Sequence, residues 1–155
     1  MPAPTDLDTR LARVQLLLLD VDGVLTDGGV TWSNDGIEAK TFHIRDGLGL
    51  RLWQRAGGRV GLVTGRSSHV VQLRADELGI GIVRQGVDDK LEAAGAIVSA
   101  CGLEWEETAF MGDDLPGGRG AVREAIERLL RSRGAWEAIV ARYAAAVPAA
   151  GGARG

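Results

Sequence analysis

The sequence predicts an α/β protein with a doubly wound parallel sheet, and three observations predict it. Four consecutive leucines, Leu16 to Leu19, follow Val14 and Gln15 and read as a strand buried on both faces. Apolar segments of strand length alternate with segments of helical length along the chain. Three of the strands end in polar residues suited to one site: Asp20/Asp22, Thr64/Arg66 and Asp113/Asp114. The carboxyl edge of a parallel sheet is where α/β proteins hold their ligands.

Thr5 to Arg13 reads as a short helix leading into the leucine strand, which ends at Asp20. A single Asp there would read as an Asx turn. Asp20-Val21-Asp22-Gly23 directly after a leucine run is rarer and implies a cation or partner, because unpaired buried charge destabilises. Short alternating segments then flank Asn34-Asp35-Gly36, a hairpin signal, with Val30 and Trp32 on one face. Asp46 is a candidate N-cap for a helix from Leu48 to Ala56, which Gly57-Gly58 ends. Arg59 to Val63 is a second buried strand, Ser68 to Leu78 a helix stopped by Gly79, and Ile80 to Arg84 a third strand. Lys90 to Ala100 is a helix and Thr108 to Met111 a fourth strand. No fifth strand follows. Instead come a helix from Ala121 to about Arg133, with Val122, Ile126, Leu129 and Leu130 as its apolar stripe, and a second from about Ala135 to Ala146.

With 155 residues the chain fits one domain, expected over residues 1–147 with a hairpin flap at about 28–43 and a disordered tail at 148–155. The net charge of −3 gives no sign of a nucleic-acid partner. Asp6 and Asp8 interrupt the start, which does not read as a signal peptide, and no apolar run is long enough to span a bilayer. The single cysteine, Cys101, permits no internal disulfide, suits a cytoplasmic setting and reads as a core thiol near Ile97 and Val98.

If Asp20, Asp22, Thr64, Lys90 and Asp113 converge, they can carry phosphoryl transfer. Asp20 and Asp113 suit Mg²⁺, a hard cation that takes a few carboxylates plus water and phosphate oxygens. Lys90 would neutralise a bound phosphoryl group, and the Thr64 hydroxyl and the amides of the Val21 to Val24 turn would hold its oxygens. One aspartate can attack phosphorus to form an aspartyl-phosphate while a second acid protonates the leaving alcohol and later activates water. Asp20 as nucleophile and Asp22 as acid/base fit these roles. A phospho-receiver domain also uses acids, Thr and Lys, but distributes its acid pair and phospho-acceptor over different strands.

These residues resemble a known set. Asp20-Val21-Asp22-Gly23-Val24, Thr64-Gly65-Arg66, Lys90 and Gly112-Asp113-Asp114 look like the four ordered motifs of the haloacid dehalogenase superfamily. Leu25-Thr26-Asp27-Gly28, Phe42 to Gly49, Arg74, Glu77 to Ile80 and Gly118 to Glu124 extend the likeness to the 3-deoxy-D-manno-octulosonate 8-phosphate phosphatase family. The resemblance implies a Rossmann-like sheet with no large cap domain. It implies Asp20 as nucleophile and Mg²⁺ ligand, the Asp22 carbonyl as a second ligand and Asp113 as a third. Thr64 and Lys90 would hold phosphate. Asp22, His43, Ile44, Arg45, Asp46, Gly47, Arg51, Arg66, Arg74 and Lys90 would lie at the substrate, where arginines bind a sugar-acid carboxylate. It also implies a homotetramer built through the hairpin, and lipopolysaccharide synthesis as the setting. A nine-carbon ulosonate 9-phosphate phosphatase or an inactive remnant with a scaffold role are the alternatives.

The sequence departs from the family at one place. Family members carry a further acid after Gly-Asp-Asp, where Gly117 stands here, and then a fifth strand, a helix and a short strand before Gly-Gly-Arg-Gly. In this chain Pro116 runs straight into Gly117-Gly118-Arg119-Gly120. The fourth strand is therefore expected at an exposed edge.

Overall fold

The computed structural model describes residues 6–113 and 120–145. Helix α1 (Asp6–Arg13) leads into β1 (Leu16–Leu19), followed by the hairpin strands β2 (Thr31–Trp32) and β3 (Glu38–Ala39). Then come α2 (Ile44–Arg55), β4 (Arg59–Val63), α3 (His69–Leu78), β5 (Ile82–Arg84) and α4 (Lys90–Ala100). A short 3₁₀ turn precedes β6 (Thr108–Met111), and α5 (Ala121–Ser132) and α6 (Trp136–Ala145) complete the described chain. Among the described residues no helix is long and apolar enough to cross a membrane.

The sheet order is β5-β4-β1-β6, all parallel, with the hairpin a separate two-stranded sheet. The leucine strand is central because all four of its side chains are buried. Leu17 and Leu19 face a core with Val71 and Leu78 of α3, Leu50 and Trp53 of α2, and the α5 stripe Val122, Ile126, Leu129 and Leu130. Leu16 and Leu18 face the other way, onto Ala94, Ile97 and Val98 of α4, with Cys101 packed beside them. Trp53 is locked in place: its ring lies where a Gly58 side chain would begin, and its indole N–H donates to the Arg59 carbonyl at 2.9 Å.

Strand β6 is the edge on its side of the described sheet. Phe110 pairs in register with Leu18, so it points to the α4 face, yet it is 43% exposed. Helix α4 covers β1 and β4 there and leaves Phe110 open. The junction from Asp114 to Arg119, including the Pro116-Gly117 step and the missing acid, lies outside the described residues, as do Thr5, Ala146 and the expected tail.

The largest differences from the expected boundaries lie at the starts of α2 and β5. Helix α2 begins at Ile44, with His43 as N-cap accepting the Arg45 amide at 3.2 Å on its Nδ1. Asp46 therefore sits inside the first turn and caps another helix: its buried carboxylate accepts the Arg123 amide at 2.8 Å, where Gly120 offers α5 no capping side chain. Strand β5 begins at Ile82, not Ile80. The hairpin strands are two residues each, joined across Ser33 to Ile37.

Candidate active site

Register alone gathers the predicted acids. Leu19 lies opposite Leu62 on one side and Met111 on the other. Asp20 and Thr64, which directly follow β1 and β4, and Asp113, two residues after β6, thus emerge at the same carboxyl edge. The Asp20 amide donates to the Met111 carbonyl at 2.9 Å. Its carboxylate is 3% exposed; Oδ1 accepts the Val21 amide at 2.7 Å and Oδ2 meets Lys90 Nζ. Lys90 reaches it from the first position of α4, whose start is fixed by the Asp89 side chain accepting the Leu91 and Glu92 amides at 2.9 Å each. A cation at that position offsets the burial of Asp20.

The turn after Asp20 is held from within. The Val21 carbonyl accepts the Val24, Leu25 and Thr26 amides, and the buried Thr26 hydroxyl accepts those of Gly23 and Gly28. The amides of Val21, Gly23 and Val24, expected to hold phosphate oxygens, are thus engaged inside the turn. Gly23 has φ +80°, and a Cβ built on it would meet the Asp113 Cβ at 3.0 Å. Asp113 is therefore pressed against the Asp20–Gly23 turn, and a side chain at position 23 would push it away.

Beside this lies a charged box that the sequence reading missed. Lys40, directly after β3, places Nζ 2.5 Å from Asp22 Oδ1 and 3.3 Å from Glu38 Oε1. Arg66 approaches the same two carboxylates, Glu38 at 2.9 Å and Asp22 at 3.6 Å. The nearby Ser68 hydroxyl, then Arg66 and Lys40, hold the Glu38 carboxyl below the ordinary value of 4.5, against the opposing effect of burial. A carboxyl whose folded pKa is depressed contributes stability that is complete above its unfolded value and is lost as pH falls through the folded one. Hydrogen-exchange protection across residues 28–42, taken relative to the intrinsic rate at each pH, is therefore predicted to stay constant from neutrality down to about pH 4.5 and to fall below it. Constant protection well below that range would exclude Glu38 as an anchor.

The remaining predicted residues divide. His43 is the α2 cap, Ile44 is 81% exposed, Arg45 is exposed, and Gly47 is buried against the Arg74 guanidinium. Arg74 also lies over the Phe42 ring and pairs with Glu77. Arg51 donates to the Glu77 carbonyl at 2.7 Å, at the C-terminal end of α3. It joins α2 to α3 towards the amino edge of the sheet and is not brought to the acids. Phe42, near the end of the flap expected over residues 28–43, packs on the core.

Asp20 and Asp113 supply carboxylates of the type Mg²⁺ takes. Asp22, whose side chain is occupied by Lys40 and Arg66, has its carbonyl left to offer. Among the described residues no three His, Cys, Asp or Glu side chains form a metal-binding group, and a set of two carboxylates and one carbonyl does not require one. The donors fit the metal.

No family model matches the chain. The 3-deoxy-D-manno-octulosonate 8-phosphate phosphatase KdsC of Salmonella typhi is 33% identical over 165 residues, covering 86% of this chain and 88% of the relative. The chain belongs to this phosphatase family. KdsC of Yersinia pestis is 39% identical over 114 residues, 74% of this chain and 61% of that protein. The family structure from Moraxella catarrhalis, in complex with magnesium ion, phosphate ion and KDO, superposes with a TM-score of 0.86 at 31% identity, covering 89% of this chain and 98% of that one. The cobalt-bound family structure from Haemophilus influenzae gives 0.78 at 28% identity, covering 82% and 93%. An alignment of 165 residues that uses 86% of a 155-residue chain leaves about 30 positions of the S. typhi family member facing a gap. A gap of that size fits the segment expected to be missing between Pro116 and Gly117.

Proposed function

We propose that the chain is a Mg²⁺-dependent phosphomonoesterase that hydrolyses 3-deoxy-D-manno-octulosonate 8-phosphate to 3-deoxy-D-manno-octulosonate and phosphate. The observation that carries this reading is the buried Asp20 carboxylate paired with Lys90 at the carboxyl edge, with Asp113 against the same turn, in a chain of this family. Asp20 attacks phosphorus and the sugar alkoxide leaves with a proton from Asp22. Asp22 then takes a proton from water, which attacks the aspartyl-phosphate and releases phosphate. Lys90 and the Thr64 hydroxyl bind the phosphoryl oxygens. Asp20, Asp113 and the Asp22 carbonyl would hold the Mg²⁺, which when bound would supply charge neutralisation at the phosphoryl group. Arg66, Arg74 and the start of α2 from His43 to Gly47 form the sugar-acid side of the site. The relatives described above bear the eight-carbon name, and no observation favours the nine-carbon or scaffold alternatives.

The reading includes a single domain over residues 1–147, a cytoplasmic setting, a place in lipopolysaccharide synthesis, and a homotetramer. Trp32 at 58% exposure, with Val30 and Ile37 also exposed on the same hairpin, supports assembly through this flap. In light scattering at micromolar concentration, a monomer would count against the tetramer. The activity is tested by phosphate release from a panel of sugar phosphates with and without Mg²⁺. Preference for the eight-carbon keto acid supports the assignment, and a correctly folded protein that turns over none of them refutes it.

A further inference from the structure

We propose that Lys40 is a positioning residue for the Asp22 carboxylate, so that proton transfer to the leaving group depends on how the hairpin is docked. The inference rests on the phosphatase reading, in which Asp22 is the acid/base. The Lys40 side chain is 0% exposed. An ammonium so desolvated is costly unless paired, and Asp22 at 2.5 Å and Glu38 at 3.3 Å compensate it. Of the two cations facing Asp22, Lys40 makes the short contact; Arg66 stands at 3.6 Å, beyond hydrogen-bond range.

Asp22 lies on a turn followed by Gly23 and has no strand of its own to orient it. Its direction is set from outside, by a lysine that directly follows β3. The position of that lysine follows from the hairpin register, Thr31 with Ala39 and Trp32 with Glu38. Glu38 points inward to the box, while Trp32 beside it is exposed. An acid/base must lie within hydrogen-bond reach of the oxygen it protonates, and a misplacement of about 1 Å costs up to about 100-fold.

A positioning role through Asp22 predicts a loss that depends on the leaving group. An alkyl phosphate needs its leaving oxygen protonated, whereas p-nitrophenyl phosphate leaves as a stable anion. The test uses the full chain, wild type beside Lys40→Met and Lys40→Arg, with both esters in saturating Mg²⁺. In Lys40→Met, kcat/KM for 3-deoxy-D-manno-octulosonate 8-phosphate should fall about 10–100-fold. The value for p-nitrophenyl phosphate should change by less than about threefold, and Lys40→Arg, which keeps the charge, should lose less than Lys40→Met. Hydrogen exchange over residues 28–42 should rise in Lys40→Met. If Lys40→Met does not fold, Glu38→Gln removes the second carboxylate on Lys40 and should give the same selective loss at smaller size. Equal losses for the two esters, or no loss in an active variant, would overturn the proposal while leaving the phosphatase reading intact. A folded wild type silent on both esters would overturn both.

Discussion

Asp20→Asn should abolish phosphate release while leaving the fold in place. The amide is neutral, a poor nucleophile and a poor ligand for a hard cation. Removal of a nucleophile that acts as a unit with its partners lowers kcat by up to about 10⁶-fold in hydrolases. The fold should survive for a local reason. Lys90, which faces Asp20 Oδ2, has 37% of its side chain exposed and can be solvated when the carboxylate is gone. The thermal midpoint is therefore expected within about 5 °C of wild type. Substantial Mg²⁺-dependent release by a folded Asp20→Asn protein would remove Asp20 from the nucleophile's role.

The second large effect concerns the junction. Inserting a relative's segment between Pro116 and Gly117, with its acid, should tighten Mg²⁺ binding and raise stability. The acid would orient a metal-bound water or neighbouring group, and the loss of such a partner costs about 10–100-fold in affinity or activity. The strand would pair with the outer side of β6 in the described sheet and the helix would cover the 43% of Phe110 that is exposed, worth roughly 1 kcal/mol. Turnover of the present chain is accordingly expected below that of the filled form. Calorimetry with Mg²⁺, thermal unfolding and phosphate release on both forms would decide. An inserted form that binds and turns over no better would refute this account of the gap.

Elements marked by burial or by a local cap were legible in the sequence. The bounds of β1, β4, α4 and β6 agree with the expected ones, drawn from runs such as Leu16 to Leu19, and the structure adds an Asp89 cap at the head of α4. The α5 stripe is buried as its spacing required. Asp46 misled because its residue type suits an N-cap on its own helix, whereas its carboxylate serves Arg123, far along the chain. Lys40 and Glu38 gave no local signal either: on a short hairpin they resemble any solvated charges, and only tertiary packing brings them to Asp22 and Arg66. Arg51 follows the family pattern in sequence, but its place on α2 turns it towards Glu77.

The order of the strands also has a consequence during synthesis. The leucine strand is made early, but its second neighbour, β6, is completed only at Met111, about 90 residues later. At the ribosome's pace of about 5–20 residues per second, that leaves the second edge of Leu16–Leu19 open for about 5–20 s after β1 emerges. Strand β4 can close one side first; the other must wait. A nascent chain in this state presents four leucines beside an unpaired backbone, the kind of surface that chaperones bind and that aggregates when they do not. Slowing translation between Ala100 and Met111 should therefore lower the soluble yield.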